Sequence, residues 1–472
     1  MEHWIIHPIG DIMDKKIVAT AGAVVILLIV CVAVVLTIGG GNEKPTYGDS
    51  TDLTGRLTIF GNANNDDYID QRDVEFVQKI ISGEEDAVYF DCYLEYGGKL
   101  VSRTLADANC DGKVDEADVK WIQRMVDREQ QMMINYYDVD SVVASCTYPL
   151  DTMAVGYKSN YEAVLICGAQ DKVLYACNQV AENGAYSMWY QMFENAQSMG
   201  SRFTPDYEVF LKSGNEKPSF ILSGTRAWFD NNMEETVGPL GIDVVRLPFW
   251  EDNVTVSAVI TLGYLINEED NAYAYAETAD YVLKTIEEKT KNIALKDRPL
   301  VFASYNGTKI STMHNGINEV VTAAGGRTVI DEGYTPGMSV DAETVALTMK
   351  PDFIVFSIYQ GFLETFVDHD TTKKVMYDTA AKTDGKYISF VDHTQAYKDG
   401  NVIVFGQGTF MGPASYITVA YLANAIYPDL FDFDVDQMFK DYIQKYHSDY
   451  SFEDFEGINY FNLSDVKEYY GS

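Results

Sequence analysis

Two stretches of this chain carry oxygen-bearing side chains at a spacing suited to holding a metal ion. They are NANNDDYIDQRDVEFVQKIISG, beginning at Asn62, and DANCDGKVDEADVKWIQRMVDR, beginning at Asp107, related by an offset of 45 residues. In the second, Asp107, Asn109, Asp111, Asp115 and Asp118 occupy loop positions one, three, five, nine and twelve, and Lys113 at position seven offers its carbonyl. Hard cations with six to eight oxygen ligands need such a set, and calcium is the natural one. Gly112 stands at position six, where the turn needs a permissive φ. Asn62, Asn64, Asp66, Asp70 and Asp73 repeat the set, with Tyr68 supplying the carbonyl. Asp67 replaces the glycine there, which predicts a weaker site. A solvated acidic loop binding nothing is the bland alternative. Two copies, each followed by apolar residues at helical spacing (Val74, Val77, Ile80 and Ile81, then Val119, Ile122 and Val126), favour calcium.

The elements that position these loops belong to a long, acidic chain. Its 472 residues allow two or three domains, and 47% hydrophobic content is enough for sizeable cores. Against 71 Asp and Glu stand 35 Lys and Arg, a formal net charge of −36. No cationic cluster is visible, so nucleic acid is excluded as a partner. Six scattered cysteines, with no C-x-x-C, argue against a disulfide scaffold or a zinc ribbon.

Residues 17–38, IVATAGAVVILLIVCVAVVLTI, are uncharged and long enough to span a bilayer core of roughly 30 Å as a helix. Lys15 and Lys16 precede the stretch and no cation follows until Lys44. The positive-inside rule then leaves a short cytoplasmic head, 1–16, and places the bulk outside a single-pass cell-membrane anchor. A cleaved signal peptide competes, but its apolar region should be about 7–15 residues with a small-residue exit. Residues 39–54, rich in Gly, Asp, Thr and Pro, read as a linker.

The two loops, each with only an exiting helix, resemble a type I dockerin over 55–130. That resemblance implies a small all-α calcium-loop domain and a cohesin-bearing surface partner. The partner would meet loop positions ten and eleven, here Gln71, Arg72, Glu116 and Ala117. These are not the Ser/Thr pair common in that family, and the 84–104 insertion is long for it.

From residue 131 onward, β-branched runs alternate with helical patterns, which predicts α/β architecture with parallel sheets. Strands are expected at 141–144, 172–175, 219–222 and 244–247, then at 300–303, 353–356, 387–390 and 401–405. Between the sets, 255–293 reads as one continuous helix with no Gly or Pro after Gly263. The expectation is two parallel-sheet lobes, about 138–250 and 298–446, joined by a long backbone helix. Ligands of open α/β sheets bind beyond the carboxyl ends of the strands. The loops there contain Tyr148, Asn178, Arg226 and Trp228 in the first lobe, and Tyr305, Tyr359, Gln407 and Met411 in the second. Aromatic faces suit flat or catecholate chelates, and an arginine suits an anionic complex.

The order of several motifs over about 138–446 resembles the ABC-transporter substrate-binding proteins for iron-siderophore, haem and cobalamin uptake. Those motifs are VVASCTYPLDTMAVG, GSRFTPDYEVFLKSGNEKPSFILSG, LGIDVVRLPF, VDAETVALTMKPDFIVFS and YKDGNVIVFGQGTFMGPASYITVAYLANAIYPDLF. The resemblance implies capture of an iron complex, foremost a ferric siderophore, and delivery to an ABC permease without bond chemistry. It also implies that Glu208 and Glu343, one in each lobe, dock onto the permease. Both open helical stretches, where a carboxylate also favours the helix N-terminus by ~0.3–1 kcal/mol. Catalytic motifs are lacking: no P-loop, H-E-x-x-H or G-x-S-x-G occurs, and Gly406-x-Gly408 is followed by Met411 where a third glycine is needed.

Overall fold

The computed structural model describes residues 56–181, 196–212, 214–250, 252–304, 309–311, 316–341, 343–381 and 391–471. The head 1–16, the apolar stretch 17–38 and the linker 39–54 lie outside them, as do Tyr305 and the expected strand at 387–390. Among the described residues no helix is long and apolar enough to cross a membrane. The chain divides into two units, Met1–Tyr148 and Pro149–Ser472.

In the first unit each acidic loop runs into a helix, α1 (Gln71–Ser82) and α2 (Glu116–Val126). Both helices start for the same reason. Asp70 and Asp115 sit in extended backbone and accept the N–H of Arg72 and Ala117, while Asp73 and Asp118 reach back to the cap N–H groups. Val74 and Val77 of α1, with Ile122 and Met125 of α2, are buried. Ile81 turns outward at 40% exposure, so the apolar stripe of α1 is narrower than its sequence suggests. The insertion between the repeats folds as an antiparallel hairpin, β1 (Phe90–Tyr93) with β2 (Leu100–Arg103).

A second hairpin pairs β3 (Met132–Tyr137) with β4 (Val143–Tyr148), in a register running from Met132↔Tyr148 to Tyr137↔Val143. The Phe60 N–H donates to Asn135 O, the Tyr137 N–H to Thr58 O, and the Asn135 amide to Ala108 O. These bonds tie the hairpin to the starts of both acidic loops. Two expectations change as a result. Residues 131–148 belong with the acidic loops rather than with the lobes, and the loop module is α+β rather than all-α.

The second unit holds two sheets. The first has the order β11-β10-β5-β6-β7, every pair parallel, from β5 (Met153–Val155), β6 (Val173–Ala176), β7 (Gln197–Ser198), β10 (Phe220–Ser223) and β11 (Asp243–Arg246). A short antiparallel pair, β8 (Gly200–Ser201) and β9 (Thr204–Pro205), follows β7. The lobe therefore opens on MAV at 153–155, not on the 141–144 run. The second sheet has the order β13-β12-β14-β15-β16, from β12 (Leu300–Ser304), β13 (Arg327–Thr328), β14 (Phe353–Ile358), β15 (Val402–Gly406) and β16 (Tyr460–Asn462). Its first four strands are parallel and β16 is antiparallel to β15. The second lobe thus extends past residue 446. Strands such as FIVFSI are buried at every residue, as parallel strands covered on both faces must be.

The joining segment is two helices, α4 (Asp252–Leu265) and α5 (Glu269–Thr290), rather than one. Asn267 takes φ +60°, the Glu268 N–H donates to Gly263 O and the Asn267 N–H to Tyr264 O. That is a Schellman stop with asparagine in the left-handed position, which a search for Gly and Pro overlooks. Beyond it α5 buries Ala272, Tyr275, Ala276, Ala279, Val282 and Ile286, one stripe at helical spacing.

Gly263 makes the corner between α4 and α5. A Cβ there would stand 2.5 Å from the Ala272 Cβ. Glycine-to-alanine in a helix normally stabilises by ~1 kcal/mol; here overpacking of ~1–3 kcal/mol should reverse the sign. Urea unfolding should find Gly263→Ala less stable than the parent and the Gly263→Ala/Ala272→Gly pair largely restored. A stabilised single variant would refute the close approach.

Candidate ligand-binding cleft

The carboxyl ends of the first-lobe strands carry an aromatic cluster. Tyr157 follows β5, Phe229 follows β10 and Trp250 follows β11, and these rings are only 4–6% exposed. Phe229 and Trp250 stack with centroids 5.7 Å apart, and Tyr157 meets each edge-on at 6.3 Å. Gly224 makes room for the stack, because a Cβ there would collide with the indole of Trp250. Arg202, in the β8–β9 turn, lays its guanidinium 4.3 Å from the Tyr157 ring centre, 4.8 Å from Phe203 and 5.8 Å from Phe229. A delocalised cation held on aromatic faces is well placed to receive an anionic, flat ligand. From the second lobe, Met411 packs on the same cluster.

The helix that follows β5, α3 (Lys158–Ile166), is buried along nearly its whole length, including Lys158, Ser159, Asn160 and Glu162. It is the meeting surface of the lobes. Lys158 forms an ion pair with Glu364, in the loop after β14, with both side chains about one-tenth exposed. Burial works to lower the Lys158 ammonium, and the Glu364 carboxylate more than offsets it, holding the lysine above its ordinary value. Further along α3, Glu162 accepts a hydrogen bond from the Tyr442 hydroxyl and one from the Ala414 N–H. Gly412 passes so near that a Cβ on it would collide with the Glu162 carboxylate. Tyr442 lies on α9 (Val435–Tyr446), and Ala414 precedes α8 (Ser415–Ile426).

The residues singled out by sequence fall into several places. Tyr148 ends β4 in the first unit, 2% exposed, with its hydroxyl accepting from Arg128. The strand it closes is a hairpin strand, so the loop rule does not apply to it. Arg226 is inside the expected loop, but its guanidinium is 2.7 Å from Glu234, which also binds Arg246 at 2.7 Å. Arg246 donates to Gly224 O and Asp230 O as well, so this network braces the loop that carries Phe229. Burial tends to raise the Glu234 carboxyl, and the Arg246 and Arg226 guanidiniums more than offset it, leaving it below its ordinary value. Trp228 and Tyr359 are half exposed, and Gln407 is buried with its amide 2.6 Å from the Met411 sulfur. Glu208 and Glu343 are both exposed, the first one residue into the turn of helix Tyr207–Leu211, the second just before Thr344–Met349. Arg202, Tyr157, Phe229 and Trp250 were missed. The strand-end rule, applied to the true opening strand, would have found Tyr157; Arg202 carries no sequence signal, being placed by a turn on a lateral hairpin.

In the first unit the two acidic loops differ in how their charge is met. In the first, Arg72 lies 2.8 Å from both Asp66 and Asp70, and Arg56 lies 2.6 Å from Asp67. The Asn62 amide donates inward, to Leu57 O and Asp66 O. In the second, position eleven is Ala117, and the carboxylates meet only N–H groups of the loop. Asp107 accepts from Asp111 and Gly112, Asp111 from Lys113, and Asp118 from Asn109 and Asp115. Asp107 and Asp118 are raised above the ordinary carboxylate range, first by burial and then by neighbouring aspartates, with loop N–H groups pulling the other way. Gly112 takes φ +93°, as position six of such a loop requires. The donor chemistry therefore suits a hard cation, although among the described residues no three acidic, His or Cys side chains already converge on one centre.

Two buried groups, Glu162 on α3 and His447 beside Phe362 and Tyr442, are shifted in opposite directions. Burial pushes the Glu162 carboxyl up from 4.5 to about 8, against the pull of Tyr442 and Lys158. Burial pushes the His447 imidazole down from 6.5 to about 3. The folded chain keeps the Glu162 proton that the unfolded chain has lost, so this contribution is complete below pH 4.5 and disappears as pH rises to about 8. His447 works oppositely: its contribution is present above pH 6.5 and is lost as pH falls towards 3. Between pH 4.5 and 6.5 the two contributions oppose each other, so urea unfolding should show the decline between pH 6.5 and about 8, approaching ~1.4 kcal/mol per pH unit, and Glu162→Gln should remove it. An unchanged decline in the variant would eliminate Glu162 as its source.

Comparison with known proteins rests on structure alone. No family model matches the sequence, and no curated protein matches it. Among solved structures, the TroA-like periplasmic binding protein FepB from Veillonella parvula superposes with a TM-score of 0.52 at 13% identity, covering 70% of this chain and 99% of its own. A periplasmic solute binding protein from Veillonella parvula DSM 2008 gives 0.50 at 14% identity, covering 68% and 94%. The molybdate periplasmic binding protein MolA of a Haemophilus influenzae ABC transporter, with molybdate bound, gives 0.50 at 14%, covering 67% and 98%. The two-sheet fold of this chain is that of the TroA-like periplasmic binding proteins.

Proposed function

We propose that this chain is the extracytoplasmic solute-binding component of an ABC importer, and that its ligand is an anionic iron chelate, foremost a ferric siderophore. The observation that carries the proposal is the guanidinium of Arg202 lying on Tyr157 and Phe229 at the carboxyl ends of the first-lobe strands. Among the described residues no carboxylate pairs with Arg202, whereas Lys158 is neutralised by Glu364 and Arg226 by Glu234. A flat catecholate complex would gain both stacking area and charge there. The similar fold of binding proteins for ABC transporters supports the reading. Glu208 and Glu343 remain the proposed permease contacts, being exposed and one to a lobe. No reaction is assigned to the cleft: binding, lobe closure and release suffice.

The second acidic loop is proposed to hold calcium through Asp107, Asn109, Asp111, Asp115, Asp118 and the Lys113 carbonyl. Arg72 already meets Asp66 and Asp70 in the first loop, so that loop is the weaker site. The same engagement withdraws Arg72 from the role a dockerin would give it against a cohesin.

Trp250 and Trp228 make intrinsic fluorescence a direct probe of the cleft. Titration with a ferric catecholate siderophore should quench it saturably, and Arg202→Ala should weaken binding roughly tenfold, in line with a desolvated cation–π contact. Stronger response to haemin or cobalamin would replace the ligand class, and no response to any of the three would remove the cleft assignment. Glu208→Ala with Glu343→Ala should leave that titration unchanged and abolish uptake in cells; normal uptake would defeat the docking role. Calorimetry with calcium should show one dominant site, weakened at least about tenfold by Asp111→Asn and little by Asp66→Asn, since each ligand charge tunes affinity. Equal sensitivity to both changes would contradict the ranking of the loops.

A further inference from the structure

The second lobe contains a cavity of 520 Å³ that is separate from the cleft and has no part in the proposal above. It lies among α7 (His369–Ala381), α8, α9, the 452–460 segment and α10 (Leu463–Tyr470). Its size falls within the ~300–1,000 Å³ usual for small-molecule sites.

Its walls are aromatic. Tyr421 and Tyr460 stack with centroids 4.9 Å apart on one side. Tyr377 and Tyr469 meet edge-to-face at 5.1 Å on another, and Phe439 and Phe455 lie behind them at 6.3 Å. The protein's own ammonium already uses this chemistry: Lys373 Nζ is 5.4 Å from the Tyr377 ring centre and 5.7 Å from that of Tyr469. Four carboxylates, Asp436, Glu456, Asp465 and Glu468, face that single lysine, a formal excess of three negative charges on the lining. The Asp436 carboxyl is raised chiefly by burial, with smaller contributions from Asp434 and Glu456. Asn459 completes the lining. It is 3% exposed, but its Oδ1, which accepts no hydrogen bond among the described residues, is sealed from solvent on the Gly361 side, so this acceptor is not a contact for a ligand in the cavity.

We propose that this cavity binds a small organic ammonium, methylated or primary, with the cation on the tyrosine faces and its charge balanced by the rim carboxylates. Hard metal ions are a poor match, because they need six to eight oxygens and the carboxylates here are interleaved with ring faces that offer none. Neutral aromatic ligands would leave the excess negative charge unanswered. Recognition of alkylated ammonium by aromatic walls is a recurrent use of cation–π attraction.

The test uses the whole chain with choline as probe and its neutral isostere, 3,3-dimethylbutan-1-ol, as control. Calorimetry or saturation-transfer NMR should show saturable choline binding and binding of the isostere at least about fivefold weaker. Glu456→Gln with Glu468→Gln, both at exposed positions, should weaken choline by a similar factor, as should Tyr469→Leu. Arg202→Ala should leave choline binding unchanged, which separates this site from the cleft. Equal binding of choline and its isostere, no choline binding, indifference to the rim changes, or loss of choline in Arg202→Ala would each overturn the proposal.

Discussion

The helix after the first strand of the lobed unit, Lys158–Ile166, governs what the rest of that unit can do. It carries Lys158, Ser159, Asn160 and Glu162, yet all four are buried. A buried charge without a partner is strongly unfavourable, so the facing lobe has to supply one. It does so for Lys158 with Glu364, and it gives the Glu162 carboxyl, which burial holds in its neutral form, hydrogen bonds from Tyr442 and the Ala414 N–H. Neither contact can form within the first lobe alone. The approach of the lobes therefore rests in part on polar chemistry, beside the packing of Met411 on the aromatic cluster.

That arrangement explains the division of labour among cations near the cleft. Lys158 is neutralised where the lobes touch, and Arg226 and Arg246 are spent on Glu234, bracing the loop that carries Phe229. Arg202 is left on the aromatic faces as the cation with no carboxylate partner among the described residues. Aromatic rings attract a guanidinium without neutralising it, so its charge remains available. A sequence cannot distinguish these roles, because Lys158 on a helix, Arg246 on a strand and Arg202 and Arg226 in loops declare their partners only once their neighbours are known.

The first unit makes the same point with acids. Its two loops match closely in ligand spacing, yet one meets its charge with Arg56 and Arg72 and the other with loop N–H groups alone. The difference turns in part on position eleven, arginine in one and alanine in the other. An internal guanidinium competes with an external cation for the same oxygens, so Arg72 adds to Asp67 and Arg56 in setting the first loop apart from the second.

Periodicity and local signals alone determined much of this protein. Strands β6, β10, β11, β12, β14 and β15 fall within a few residues of the expected apolar runs, because a strand buried on both faces has to be largely apolar, whereas the short β7 and β13 carry no such run. The helices after the acidic loops begin where Asp70 and Asp115 cap them, a purely local interaction. Tertiary structure decided the remainder. The 142–148 run is strand-like whatever it pairs with, and only its hydrogen bonds to Met132–Tyr137 made it a hairpin of the first unit rather than the opening strand of a lobe. The joining helix broke at Asn267 because that residue tolerates the left-handed region, a choice the sequence allows but does not announce. The cleft residues Arg202 and Trp250 come together from separate loops, and long-range juxtaposition of this kind leaves no local periodic trace in the sequence.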